Sequence, residues 1–472
     1  MKKVVRAVSG AAAGLMALSL VACGSTDSTT VPPRQGGATS ASASTTAATA
    51  TKEGATTIEF WTEDRHDQEY VQKMVDEFNA SHDDIQINMT VVTDNYSNML
   101  SLAYNGGTAP DLVLNNTLPL NQFADTGMFV PLNSYIDSDE EFQKVLEPYS
   151  HSYEGSNAKD GNMYAVYTAV RSGVRVEYNK DLLAKSGYTE IPDNLDDYIA
   201  MANKITEDGN GSYYGIGFTS SSPFERLLEM CAEISGIYYY DYVNGKYDFS
   251  GYKEIIEKGK QLVKAAYPDQ QGVDNMRALF AQGAFALWSN ASQEAGVFTS
   301  QLPISDFEWG VAPVPSLTGE IKGALQVLPL KGYSIMSSSK HQDEAWEVIK
   351  YFSSEEFLKG YYEGGYALPI SDYMKDKYDS SKAGRIADFA LLDYESVYPT
   401  PPAVNLEGDN YRTVLWNAVM GYVDADEAIE DLNTRYNNAL DSDVASGTTK
   451  RLIISDYDPL HPADGTATYE TK

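Results

Sequence analysis

The sequence runs to 472 residues, with 67 acidic residues against 35 basic ones and a formal net charge of −32. That surplus argues against a nucleic-acid partner, whose phosphates need Lys and Arg, and against a helix adsorbed on a membrane through a basic face. Two cysteines leave no room for a disulfide framework or a Cys-based zinc site.

The chain opens with Lys2, Lys3 and Arg6, then stays small, apolar and uncharged over 7–22. That length suits a secretory signal core and is short for a helix that spans a membrane and stays there. The core ends in Leu20-Val21-Ala22-Cys23, followed by Gly24, which resembles the bacterial lipobox. The resemblance implies that 1–22 is a lipoprotein signal peptide and that the Cys23 sulfur carries diacylglycerol. An ordinary signal peptide with a chance cysteine is the alternative. Residues 24–55 are mainly Ser, Thr, Ala, Gly and Pro, without apolar periodicity. Such a segment cannot offset its ordering entropy, so 23–55 reads as a lipidated residue and a flexible tether. Cys231 then has no partner, and it lies in a helical run, 225–233, where burial is expected.

The body that follows is long enough for two domains. Strand patterns at 57–61, 85–92 and 111–114 alternate with helical spacing at 67–79, 96–104 and 121–127. Farther on, strands are expected at 175–178, 213–218, 284–288, 307–311 and 333–336. Helices are expected at 195–206, 253–266, 276–282, 341–352, 411–420 and 426–440. Asp424-Ala425-Asp426-Glu427 reads as a helix cap with first-turn acids rather than a calcium loop. This order implies an α/β fold with a parallel sheet. No repeat of 20–50 residues is visible.

Several blocks along the body, in order, resemble the extracellular solute-binding proteins of sugar ABC importers, the group that includes maltose-binding protein. They are Ile58-Glu59-Phe60-Trp61-Thr62, Asn105-Gly106-Gly107-Thr108-Ala109-Pro110-Asp111-Leu112, Met163-Tyr164-Ala165-Val166, Glu177-Tyr178-Asn179-Lys180-Asp181-Leu182-Leu183, Leu279-Phe280-Ala281-Gln282-Gly283, Trp309-Gly310-Val311-Ala312-Pro313-Val314-Pro315, Lys340-His341-Gln342-Asp343-Glu344-Ala345-Trp346 and Leu415-Trp416-Asn417-Ala418-Val419-Met420. The resemblance implies an α/β, two-lobed periplasmic-binding-protein-like fold of type II, with a ligand cleft between the lobes. Carried over, lobe one is 56–166 with 291–340, lobe two is 167–290 with 341–450, and 451–472 is a tail. The crossings are then expected near 167–172, 288–292 and 334–339.

A sugar site needs aromatic surfaces for C–H faces and planar polar groups for adjacent hydroxyls. The sequence has 34 Tyr and 5 Trp, residues suited to that task. In parallel α/β sheets the ligand sits at the carboxyl ends of the strands. That rule selects Trp61, Glu63, Asp64 and Arg65 after the first strand, and Asn115 and Asn116 after the third. It also selects Tyr167, Arg171 and Ser172 at the first crossing, and Trp288 and Asn290 at the second. Tyr333 and Tyr366 complete the candidates. Each has a structural alternative: first-turn acids, an Asx turn, or an aromatic in a lobe core. Tyr238-Tyr239-Tyr240 reads equally as a subsite wall or an exposed strand edge.

The expected partners are a sugar or oligosaccharide, the permease subunits of an ABC importer, and a membrane through the lipid, with the protein itself a monomer on the extracellular or periplasmic face. No cofactor and no metal is expected. A surface glycoside hydrolase is the enzymatic rival, and none of the recognisable catalytic motifs supports it. A plain adhesion lipoprotein is a second rival. A third keeps the binding role for a polyol, phosphodiester, peptide or cation.

Overall fold

The computed structural model describes Lys52 and residues 54–116, 118–147 and 156–471. The signal peptide, Cys23 and His151 lie outside the described residues, as does all of the tether but Lys52, Gly54 and Ala55. Every described residue belongs to one compact unit.

Two sheets organise this unit. The first starts from Thr56–Thr62, where Ile58, Phe60 and Thr62 are buried and the residues between them are half-exposed. That alternation ties the register to one buried face. The strand runs parallel to Ile85–Val91 and to Leu112–Leu114, with Phe60 opposite Leu112. All of Leu112–Leu114 is buried, as an apolar run inside a parallel sheet should be. Leu328–Ile335 then enters antiparallel between Leu112–Leu114 and Val166–Arg171, with Leu368–Pro369 at the edge. The helix Gln68–Ser81 buries Val71, Met74, Val75 and Phe78, the 3.6-residue spacing of one apolar face. The helix Gln342–Phe352 joins the same core, and Phe352 meets Phe60 with ring centroids 5.2 Å apart.

The second sheet has the order Trp309–Pro313, Arg175–Asn179, Phe285–Asn290, Tyr214–Ile216. Its core gathers the helices Leu195–Gly209, Tyr252–Leu262, Tyr411–Val419 and Ala425–Ser446. Asn194 caps the first of these by accepting from the Asp197 amide. Asp424 caps the last by accepting from the amides of Asp426 and Glu427, so the acidic run is a helix start. Cys231 is fully buried in this core. A third apolar cluster, with Tyr167 and Val170 from one sheet and Phe285 and Trp288 from the other, fills the space between the lobes.

Several elements lie in the other lobe from the one their sequence position suggested. Trp309–Pro313 pairs antiparallel with Arg175–Asn179, which puts it in the second sheet. The helices Gln342–Phe352 and Glu355–Glu363 pack on the first sheet. The chain passes between sheets at 172–174, over 314–327, and again between Phe389 and Tyr411. Trp288–Ser292 stays with the second lobe and Ser334–Ser339 with the first. Local alternation reveals that a strand exists. It does not reveal which distant strand satisfies its amides and carbonyls.

The tail is ordered. Arg451–Ile454 and Ala467–Glu470 form a hairpin, and the Ile454 amide donates to the Tyr242 carbonyl at 2.8 Å. Tyr238 and Tyr240 are not an exposed strand edge: Tyr240 is buried and donates to the Leu452 carbonyl, and half-buried Tyr238 donates to the Pro459 carbonyl. The tyrosine cluster holds the tail.

Candidate functional site

The parallel strands Thr56–Thr62, Leu112–Leu114 and Val166–Arg171 end at one edge of the first sheet. The antiparallel strand Leu328–Ile335 begins at that edge. Turns and strand ends therefore bring Asp64, Asn116, Arg171 and Lys331 together. From the second lobe, the chain leaving Phe285–Asn290 supplies Ser292 and Gln293, and Tyr361 and Tyr366 come from the helix Glu355–Glu363 and the turn after it. These groups line a cavity of about 330 Å³. A second compartment of about 450 Å³ shares Asn116 with it and is faced by Tyr167, Leu328 and Tyr398.

Lys331 anchors the floor. It is 4% exposed, yet its ammonium lies 2.7 Å from Asp64 Oδ2 and 2.6 Å from Asp67 Oδ2. Tyr361 donates to Asp67 at 2.8 Å, and Asn116 Nδ2 donates to Asp64 Oδ2 at 3.2 Å. Burial alone would raise the Asp67 carboxyl, but the neighbouring charges of Lys331 and His66 and the donated hydrogen bonds hold it below its ordinary value. Burial would likewise lower Lys331, and the two aspartates more than reverse that.

Across the cavity, Asn290 Oδ1 accepts from Arg226 at 2.7 Å and from Gln293 Nε2 at 2.6 Å, which fixes Gln293. Asn290 Nδ2 donates to Glu294 at 2.6 Å, and Glu294 is doubly held by Arg277. Gln293 Oε1 is left buried without a partner among the described residues. The guanidinium of half-buried Arg171 makes no hydrogen bond or ion pair among the described residues. Burial lowers its guanidinium pKa, and the field of Asp64 opposes that. An unpartnered guanidinium lining this cavity is a group awaiting a polar ligand. The Tyr361 and Tyr366 rings, 5.3 Å apart, add aromatic surface.

Of the candidates read from the sequence, Asp64, Asn116, Arg171 and Tyr366 line this cavity, and Tyr167 faces the second compartment. Trp61 is half-buried against a lobe-one cluster, with Glu63 nearby in the same turn. Arg65 is exposed and donates to Thr93 Oγ1. Asn115 is buried and bonded to Ser334 Oγ at 2.9 Å. Ser172 sits in the first connection, its amide donating to Ser292 Oγ at 3.3 Å. Trp288 fills the core between the lobes, and Tyr333 packs on Phe60 and Phe352. Asn290 acts through Gln293. Phe285–Asn290 and the second half of Leu328–Ile335 are covered on both faces, which buries Trp288 and Tyr333.

Sequence reasoning missed Lys331, Ser292, Gln293 and Tyr361. A lysine inside the apolar run Leu328-Pro329-Leu330-Lys331-Gly332 was the available signal. Asp64, His66 and Asp67 cluster closely enough to suggest a cation, but Lys331 already supplies the positive charge between the two aspartates.

Two α/β lobes with a polar and aromatic cavity between them define a two-lobed binding protein. A family model of bacterial extracellular solute-binding proteins matches residues 62–359, and the chain belongs to that family. A Brucella abortus protein named as a binding protein is 25% identical over 385 residues, covering 77% of this chain and 87% of its own. The maltotriose-binding protein of Pyrococcus abyssi is 24% identical over 317 residues, covering 65% and 64%. The solved sugar-binding protein MalE of Xanthomonas citri superposes with a TM-score of 0.60 at 20% identity, covering 82% of this chain and 98% of its own. Among the described residues no helix is long and apolar enough to cross a membrane.

Proposed function

We propose that this chain is the capture subunit of an ABC importer, lipid-anchored through Cys23 on the extracellular face, and that its cargo is a neutral sugar or short oligosaccharide. The observation that carries the reading is the composition of the cavity. Asp64, Asn116, Arg171 and Gln293 are planar polar groups from both lobes, set beside the Tyr361 and Tyr366 rings. Hydroxyls and C–H faces of a sugar fit that set. The charges also balance: Lys331 and Arg171 offset Asp64 and Asp67, which favours an uncharged ligand. A ligand touching both lobes stabilises the closed form, which docks on the permease. The chain itself carries out no reaction.

The test is thermal unfolding of the mature chain, made as Cys23→Ala to prevent lipidation, against maltotriose, galactooligosaccharides and a wider sugar panel. A ligand at 100 times its Kd stabilises the native state by about 2.7 kcal/mol. A shift with one sugar family supports the reading. No shift with any sugar, followed by a shift with a polyol, phosphodiester or peptide, moves the cargo to that class. Release of the Cys23→Ala protein from cells that retain the native chain tests the anchor.

A further inference from the structure

We propose that Lys331 is a positioning residue that presents Asp64 to the ligand through Oδ1 alone, opposite the unpartnered guanidinium of Arg171. The inference rests on the reading of this cavity as a sugar site. Five described non-glycine residues have positive φ. Asn95, Asp160, Asn210 and Ser222 are small polar residues at helix ends, turns or bends, where that conformation is tolerated. Lys331, at φ +54°, is a long side chain inside a strand and buried. Backbone strain of this kind persists only when the surroundings over-determine it.

The surroundings do so here. The Lys331 amide donates to Asn116 Oδ1 at 2.7 Å, and its carbonyl accepts from Thr168 Oγ1 at 3.3 Å. Its ammonium and Asn116 Nδ2 both donate to Asp64 Oδ2. Asp64 Oδ1 receives no hydrogen bond among the described residues. One carboxylate oxygen is thus occupied and the other is left without a donor among the described residues, on a side chain that lines the cavity. Hydroxyls both donate and accept, so a pair of adjacent hydroxyls can donate to Asp64 Oδ1 and accept from Arg171. Asp64, His66 and Asp67 from the first turn, Arg171, Tyr333 beside Lys331, and Tyr361 and Tyr366 are the titratable and charged groups around it. Without Lys331, two aspartates would face a single guanidinium, and the charge that holds the Asp67 carboxyl low would be lost.

Calorimetric titration of the mature Cys23→Ala chain with maltotriose and with a galactooligosaccharide, from pH 4.5 to 8, tests this. Native Lys331 should give an affinity for the sugar that binds constant within about twofold above pH 5. Lys331→Met should weaken it at least about tenfold at pH 7, and part should return as the pH falls and Asp67, no longer held low by Lys331, protonates. Lys331→Arg should retain most of the affinity, because charge and reach are kept. Equal loss in both variants at every pH, or native affinity in Lys331→Met, overturns the inference while leaving the sugar reading intact. If neither these sugars nor any other of the wider panel binds the native chain, both fall. Should Lys331→Met not fold, Asp64→Asn, which leaves Lys331 paired with Asp67, decides: a tenfold loss supports the role of Asp64 Oδ1, and unchanged affinity overturns it.

Discussion

Arg175 and Glu395 form a two-point ion pair, with Nη2 2.5 Å from Oε2 and Nη1 3.0 Å from Oε1, and with side chains 2% and 0% exposed. Glu395 Oε1 also accepts the Gly173 amide at 2.5 Å. One carboxylate therefore fastens the first connection between the lobes to the third, beside the short pairing of Leu325–Gln326 with Glu395–Ser396. Removing one partner of a buried pair leaves an uncompensated charge, at a cost of about 3–5 kcal/mol. Glu395→Ala should lose that much in urea unfolding. Unchanged stability would mean that water reaches the pair.

Arg171→Ala should separate binding from stability. The guanidinium has no partner among the described residues, so its loss should change unfolding by no more than about 0.5 kcal/mol. A hydrogen bond to a charged group is worth about 1.5–3 kcal/mol, so affinity for the bound sugar should fall about 10- to 150-fold. Calorimetry and thermal unfolding on one preparation check both halves.

Glu177 lies fully buried in the second sheet, and among the described residues no side-chain donor is bonded to its carboxylate. Burial, then the nearby Glu294 carboxylate, pushes its pKa well up. Between the unfolded value, near 4.5, and the raised folded value, the folded state holds the extra proton. Stability from this group is then full at low pH and falls as pH rises through that window. Glu177→Gln, neutral at every pH, should raise the melting temperature at pH 7 and flatten its decline from pH 5 to 7. An unaltered pH profile would mean that the carboxyl ionises in place.

Ending the chain after Thr449 should destabilise the second lobe. The cut removes Leu452 and Ile454, which are 1% and 0% exposed, and uncovers Tyr240. Two fully buried aliphatic side chains contribute about 3–6 kcal/mol. The truncated protein should melt several degrees lower and be cut sooner by protease within the second lobe. Equal melting and proteolysis would make the hairpin an accessory to the fold.

The cavity was partly legible. Asp64, Asn116 and Arg171 follow strands whose apolar alternation is plain, and strand ends are where an α/β sheet places its ligand. Lys331 was not legible, because its place depends on the antiparallel insertion of Leu328–Ile335 between two strands far away in the chain. Its partner Asp64 is 267 residues distant. Tyr333 and Trp288 misled for a related reason: an aromatic near a cleft and an aromatic under it look alike until alternation is anchored to a real core. The tyrosine run at 238–240 reads as an exposed edge in the sequence, and its hydrogen bonds to the tail cover that edge.

The sequence by itself determined the local events: where strands and helices form, the caps at Asn194 and Asp424, the acidic surface, and the blocks that carry the family likeness. These depend on periodicity and on contacts a few residues apart. Tertiary structure alone decided that Trp309–Pro313 joins the second sheet, that Gln342–Phe352 covers the first, and that Lys331 stands between Asp64 and Asp67. Each of those depends on which distant backbone satisfies a strand's hydrogen bonds, or on which distant charge offsets a buried one, and a local pattern encodes neither.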